Sequence, residues 1–85
     1  MKVTLIGSHL CPDTLYAINE FAARKVEIEF KNLSACLADL KTYLALRDSS
    51  PLFEGPKANG SIGIPCFILE DGTTTLELDD VLARL

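Results

Sequence analysis

Residues 2–30 read KVTLIGSHLCPDTLYAINEFAARKVEIEF, and the change of period within them decides the architecture. Lys2–Gly7 is a run of β-branched and apolar residues closed by Gly7-Ser8, the composition of a short strand. Beyond Pro12 the period changes, and Leu15, Ile18, Phe21 and Ala22 recur at helical spacing. Pro12 suits the first helical position, where its missing N–H would be unpaired anyway, and this makes Cys11 the N-cap. Val26-Glu27-Ile28-Glu29-Phe30 then alternates apolar and acidic, the period of a strand with one buried face. A strand–helix–strand unit implies a parallel pair joined by a right-handed crossover.

Downstream, Asn32 or Ser34 is placed to cap a second helix with an apolar stripe of Leu33, Cys36, Leu37, Leu40, Tyr43 and Leu44, which gives out near Asp48-Ser49-Ser50-Pro51. Residues 50–63 hold two of the four prolines and three of the five glycines and read as a long loop, a kind of segment that is usually functional or mobile. Pro65–Leu69 is a third strand, Asp71-Gly72 a hairpin turn, Thr73–Leu76 a fourth strand, and Asp79–Leu85 a closing helix. The order is βαβαββα. The expected fold is α/β, a mixed four-stranded sheet with helices on both faces, because the first and third strands are apolar nearly throughout.

Eighty-five residues suffice for a single domain, 1–85, and at this size a chain buries only about 60% of its unfolded surface. Twelve acidic against eight basic residues give a net charge of −4, and only Arg24-Lys25 are adjacent cations, so no nucleic-acid partner is expected. The apolar stretch Val3–Ile6 is broken by Thr4 and ends at Gly7, shorter than the roughly 7–15 apolar residues of a secretion signal, and no membrane partner is expected. The three cysteines, at 11, 36 and 66, form no even disulfide framework and no metal-ligand spacing, which points to a reducing, cytoplasmic setting and to no metal.

Cys11 is the residue with chemistry to offer. The thiolate is the nucleophile, and an unperturbed cysteine is only about 3% ionised at pH 7. At a helix N-terminus the unpaired N–H groups and the positive end of the macrodipole favour the anion. Thr14 stands where the partner of a Cys-x-x-Cys pair would be; it cannot resolve a disulfide, but its hydroxyl can donate to the sulfur. The negative charge of Asp13 acts the other way.

Cys11-Pro12-Asp13-Thr14 after the first strand, Gly63-Ile64-Pro65 before the third, and Leu78-Asp79-Asp80 opening the last helix resemble a glutaredoxin, over nearly the whole chain. The resemblance implies a thioredoxin-like fold with Pro65 cis and facing Cys11. It implies that the backbone of Ile64 receives the cysteinyl part of glutathione, with Asp79 and Asp80 at the place of its γ-glutamyl end. The chain departs from that pattern at Ser8-His9, where a lysine is usual, at Gly63 in place of threonine, and at Leu76-Glu77 in place of a glycine pair; Glu77 brings negative charge to the ligand's carboxylate.

The implied activity is a monothiol thiol–disulfide oxidoreductase acting on mixed, glutathione-type disulfides through Cys11. Its partners would be a small thiol or a glutathionylated protein, with glutathione as co-substrate, no bound cofactor and a monomeric state. Two alternatives stand beside it: a non-catalytic module that pairs the Pro65 loop with an extended peptide, and an iron–sulfur carrier with one thiolate per subunit. Among the remaining residues, Cys36 falls in the helical stripe and reads as core. Cys66 reads as core rather than as a resolving thiol. His9 steadies the thiolate or caps a loop. Arg47 and Lys57 read as solvated charge.

Overall fold

In the computed structural model, which describes residues 2–85, the sheet is built outward from β1 (Lys2–Gly7). Strand β2 (Glu27–Asn32) lies parallel to it, in register from Lys2 opposite Glu27 to Gly7 opposite Asn32. On the other side β3 (Cys66–Ile68) runs antiparallel, with Ile6 opposite Cys66, and β4 (Thr74–Thr75) pairs with β3 through the Asp71-Gly72 turn. The strand order is β2-β1-β3-β4. The mixed four-stranded sheet expected from the sequence is therefore present, with shorter third and fourth strands. At the turn, Gly72 adopts φ +88°, a left-handed conformation that glycine reaches without a Cβ clash, and the Asp71 side chain accepts the Thr73 N–H at 2.8 Å.

The pleat divides the core between two faces. Val3, Leu5, Phe67 and Leu69 point to one, where α1 (Pro12–Ala23) and α4 (Leu78–Leu82) bring Ala17, Phe21 and Val81. Phe21 and Phe67 meet edge to face, with ring centroids 5.8 Å apart. Val26, Ile28 and Phe30 pack half-buried against this cluster, as their alternation predicts. Ile6 and Cys66 point to the opposite face and meet Tyr43 of α2 (Leu37–Ser49) and Phe53.

Several elements differ from the sequence reading. In α1 the buried positions are Thr14, Ala17 and Phe21, with Ile18 half-buried, while Leu15 and Ala22 are exposed: the face turned to the sheet is rotated by one residue toward Thr14. Neither Asn32 nor Ser34 caps α2. Asn32 instead closes a turn, its carbonyl accepting the N–H groups of Ala35 and Cys36 and its side chain that of Ser34, so the helix begins later with Cys36 as N-cap. Cys36 is consequently exposed rather than core, and so are Leu37, at 66%, and Leu44. What α2 lays against the sheet is Tyr43, with Leu46 beside it.

Residues 50–63 are not an open loop. A 3-10 turn (Pro51–Phe53) leads into α3 (Glu54–Asn59). The Ser50 side chain accepts the Leu52 N–H, Pro51 and Pro56 fall in first turns where their missing donors cost nothing, and Gly60 at φ +72° ends the helix. This segment seats Phe53 fully buried against Tyr43. The last helix begins at Leu78, one residue earlier than expected, and ends at Leu82.

Candidate functional site

The parallel register of β1 and β2 brings the loops after both strands to one end of the sheet, and the antiparallel β3 begins at that same end. Clefts of α/β sheets form outside such carboxyl ends. Here Ser8–Cys11, Leu33-Ser34 and Gly60–Ile64 converge on a cavity of about 690 Å³. The Leu33 N–H donates to the Gly7 carbonyl at 2.9 Å, the Ser8 and Ser34 hydroxyls hydrogen-bond to each other, and the Leu10 N–H donates to Ser8 Oγ at 3.0 Å. These bonds fix the thiol loop to the neighbouring loop.

Cys11 is half-buried and unpaired, and lines this cavity. It is the N-cap of α1 in extended conformation, with its carbonyl already accepting the Leu15 N–H at 3.1 Å and its side chain making no capping hydrogen bond. The sulfur therefore sits at the mouth of a twelve-residue helix, with Pro12 as first helical residue as expected. The facing wall carries Gly63, at φ +86°, and Ile64, and the Ile64–Pro65 peptide is cis.

Thr14 does not take the role the sequence suggested. It is fully buried, its hydroxyl oxygen accepts the Ser8 N–H at 3.4 Å, and among the described residues it makes no hydrogen bond to Cys11. The cause is the close approach of α1 to β1 at Gly7, which turns Thr14 toward the strand end. His9 is exposed and hydrogen-bonded through Nδ1 to the Asn32 side-chain amide at 2.9 Å, so it tethers the loop. Cys66 is fully buried, and burial pushes its thiol up to about 11, which suits its expected place in the core.

A smaller cavity of about 290 Å³ adjoins the first and shares Asp13 and Ile64 with it. Pro65, Leu76, Leu78 and Tyr16 complete its apolar wall, and Glu77 and Asp79 bring two further carboxylates. Asp79 thus lies at the site, whereas Asp80 is committed to the Thr75 hydroxyl, which donates to its Oδ2 at 3.1 Å. Lys57 is exposed, as expected of surface charge.

Sequence reasoning missed the buttress behind the facing wall. Tyr43 and Arg47, one turn apart on α2, donate to the carbonyls of Ile62 and Ser61 respectively, the latter at 3.0 Å. Arg47 is half-buried with its Nε shielded from solvent, and is not the free surface cation expected. The i, i+4 spacing of a tyrosine and an arginine facing a glycine-rich segment was the available signal.

No protein-family model matches the chain, and no solved structure matches it. An uncharacterized protein of Haemophilus influenzae is 36% identical over 77 residues, covering 91% of this chain and 90% of that one. With that identity running across nearly the full length of both, the chain belongs to the same family as the Haemophilus influenzae protein.

Proposed function

We propose that this protein is a monothiol thiol–disulfide oxidoreductase of glutaredoxin type, on a thioredoxin-like fold, with Cys11 as its nucleophile. One observation carries the reading: a half-buried, uncommitted cysteine at the N-cap of a long helix opens on a cavity whose opposite wall is the residue before a cis proline. The helix start supplies unpaired N–H groups and positive potential toward a sulfur anion. The cavity gives a second sulfur somewhere to lie.

In the proposed cycle the Cys11 thiolate attacks one sulfur of a mixed disulfide. The S–S bond breaks as the Cys11–sulfur bond forms, and the departing thiolate takes up a proton from water. A low-molecular-weight thiol, glutathione in the glutaredoxin pattern, then attacks the new disulfide and releases Cys11. Each turnover consumes one external thiol, whose sulfur leaves joined to the group the substrate carried, so the products are the freed substrate thiol and one low-molecular-weight disulfide. Buried Cys66 takes no part, and the exposed Cys36 is not required.

The test is reduction of a mixed-disulfide substrate by purified protein with an external thiol. Cys11→Ser abolishes turnover while Cys36→Ser retains it. Equal activity of wild type and Cys11→Ser overturns the proposal.

A further inference from the structure

Among the described residues, no lysine or arginine lines either the thiol cavity or the smaller one that adjoins it. Asp13, Glu77 and Asp79 line the smaller one, and among the described residues none of the three forms a salt bridge. The cations that do pair are engaged elsewhere, Arg24 with Glu20, Lys31 with Glu29 and Asp39, and Arg84 with Asp71, while Arg47 holds the Ser61 carbonyl. Tyr16, 59% exposed, offers an aromatic face in the same cavity, a surface that attracts ammonium and guanidinium groups. Because Asp13 and Ile64 belong to both cavities, a molecule with its sulfur against Cys11 has its neighbouring group within the field of these carboxylates.

We propose that the cleft selects disulfides bearing a positive charge next to the reacting sulfur, with Asp13, Glu77 and Asp79 as the specificity-determining residues. This rests on the reading of Cys11 as an exchanging thiol and names the substrate class of that site. A cationic disulfide is drawn in and oriented by the acidic wall, and an anionic one is repelled from it. The chemical step is plain exchange. The Cys11 thiolate forms a bond to the near sulfur, the probe's S–S bond breaks, and the leaving thiolate is protonated by water, so one disulfide replaces another and no further redox partner is needed. The group beside the sulfur can belong to a small amine thiol or to a lysine or arginine flanking a cysteine in a polypeptide. Leu10, Leu33 and Ile62 in the larger cavity give an apolar residue of such a polypeptide a place to lie.

The experiment follows formation of the Cys11 mixed disulfide by intact-protein mass, using cystamine as a dicationic probe and 3,3′-dithiodipropionate as a dianionic one. Both probes meet the same sulfur, so its intrinsic nucleophilicity cancels in the ratio of rates. Cystamine reacts about tenfold faster at low ionic strength. The ratio falls toward one at molar salt, where the Debye length is about 3 Å, and in the triple variant Asp13→Asn, Glu77→Gln, Asp79→Asn. A third probe, a peptide disulfide with leucine and lysine flanking the cysteine, separates the sources: if it outpaces cystamine the substrate is a polypeptide, and if it lags the substrate is a small amine thiol. A wild-type ratio at or below one, or a ratio unmoved by both salt and the triple variant, overturns the proposal. If no probe modifies Cys11 at all, it is the exchanging-thiol reading that has failed.

Discussion

A Cβ placed on Gly7 would lie 2.6 Å from both Cγ2 and Oγ1 of Thr14, so the absence of a side chain at one residue allows the other to pack where β1 hands over to the thiol loop. Gly7→Ala is expected to destabilise the protein by about 1–3 kcal/mol through overpacking. In a double-mutant cycle measured by chemical denaturation, Gly7→Ala with Thr14→Ala should cost less than the two singles summed. This contact was not legible in the sequence, where Thr14 counted only by its spacing from Cys11. Cys11 itself was legible, because Pro12 marks a helix start by a backbone property that no packing can override. Cys66 was legible by its place in the third strand, next to Pro65 and on the opposite face from it, and its burial has a chemical consequence. At pH 8 an alkylating agent should label Cys11 and Cys36 in the native protein and Cys66 only after denaturant is added, as peptide mass mapping would record; native labelling of Cys66 would contradict its place in the core.

Among the elements, α2 and the segment after it show where periodicity stops being informative. The sequence offered a stripe from Leu33 to Leu44, yet the sheet takes only Tyr43 and Leu46 from this helix, because the turn at Asn32 delays its start and sets its face. Glycines and prolines in residues 50–63 suggested a loop, but all of them except Gly63 fall at a helix start or stop, and what matters there is position within the turn. The strands were easier, since alternation of Val26, Ile28 and Phe30 records a pleat that tertiary contacts leave unchanged. The link from α2 to the facing wall is itself testable. Tyr43→Phe removes the donor to the Ile62 carbonyl and should cost about 1 kcal/mol. It should also accelerate hydrogen exchange at Gly63 and Ile64, leaving α1 amides as protected as before.

For the molecule as a whole, the core face that packs against α2 makes stability depend on pH at the alkaline end. Burial raises the Cys66 thiol from an ordinary 9.0 to about 11, and burial also raises the Tyr43 phenol. In both cases the folded state favours the neutral form. Above pH 9 the unfolded chain releases the Cys66 proton first, which draws the equilibrium toward unfolding until the folded thiol also ionises near pH 11. The loss from Cys66 alone should approach about 3 kcal/mol across that window, and none of it should appear below pH 8. Urea denaturation at a series of pH values should give a steeper decline between pH 9 and 11 for wild type than for Cys66→Ala.

The sheet order adds a consequence in time. β1 is made early but finds β3 only after some sixty further residues, and the first core face joins Val3 and Leu5 to Phe67, Leu69 and Val81. A nascent chain that has produced β1, α1 and β2 holds half of that face and nothing to close it with. Synthesis from the N-terminus therefore leaves apolar surface open until the last helix emerges, and a ribosome stalled before Val81 should display a chain that proteases cut freely.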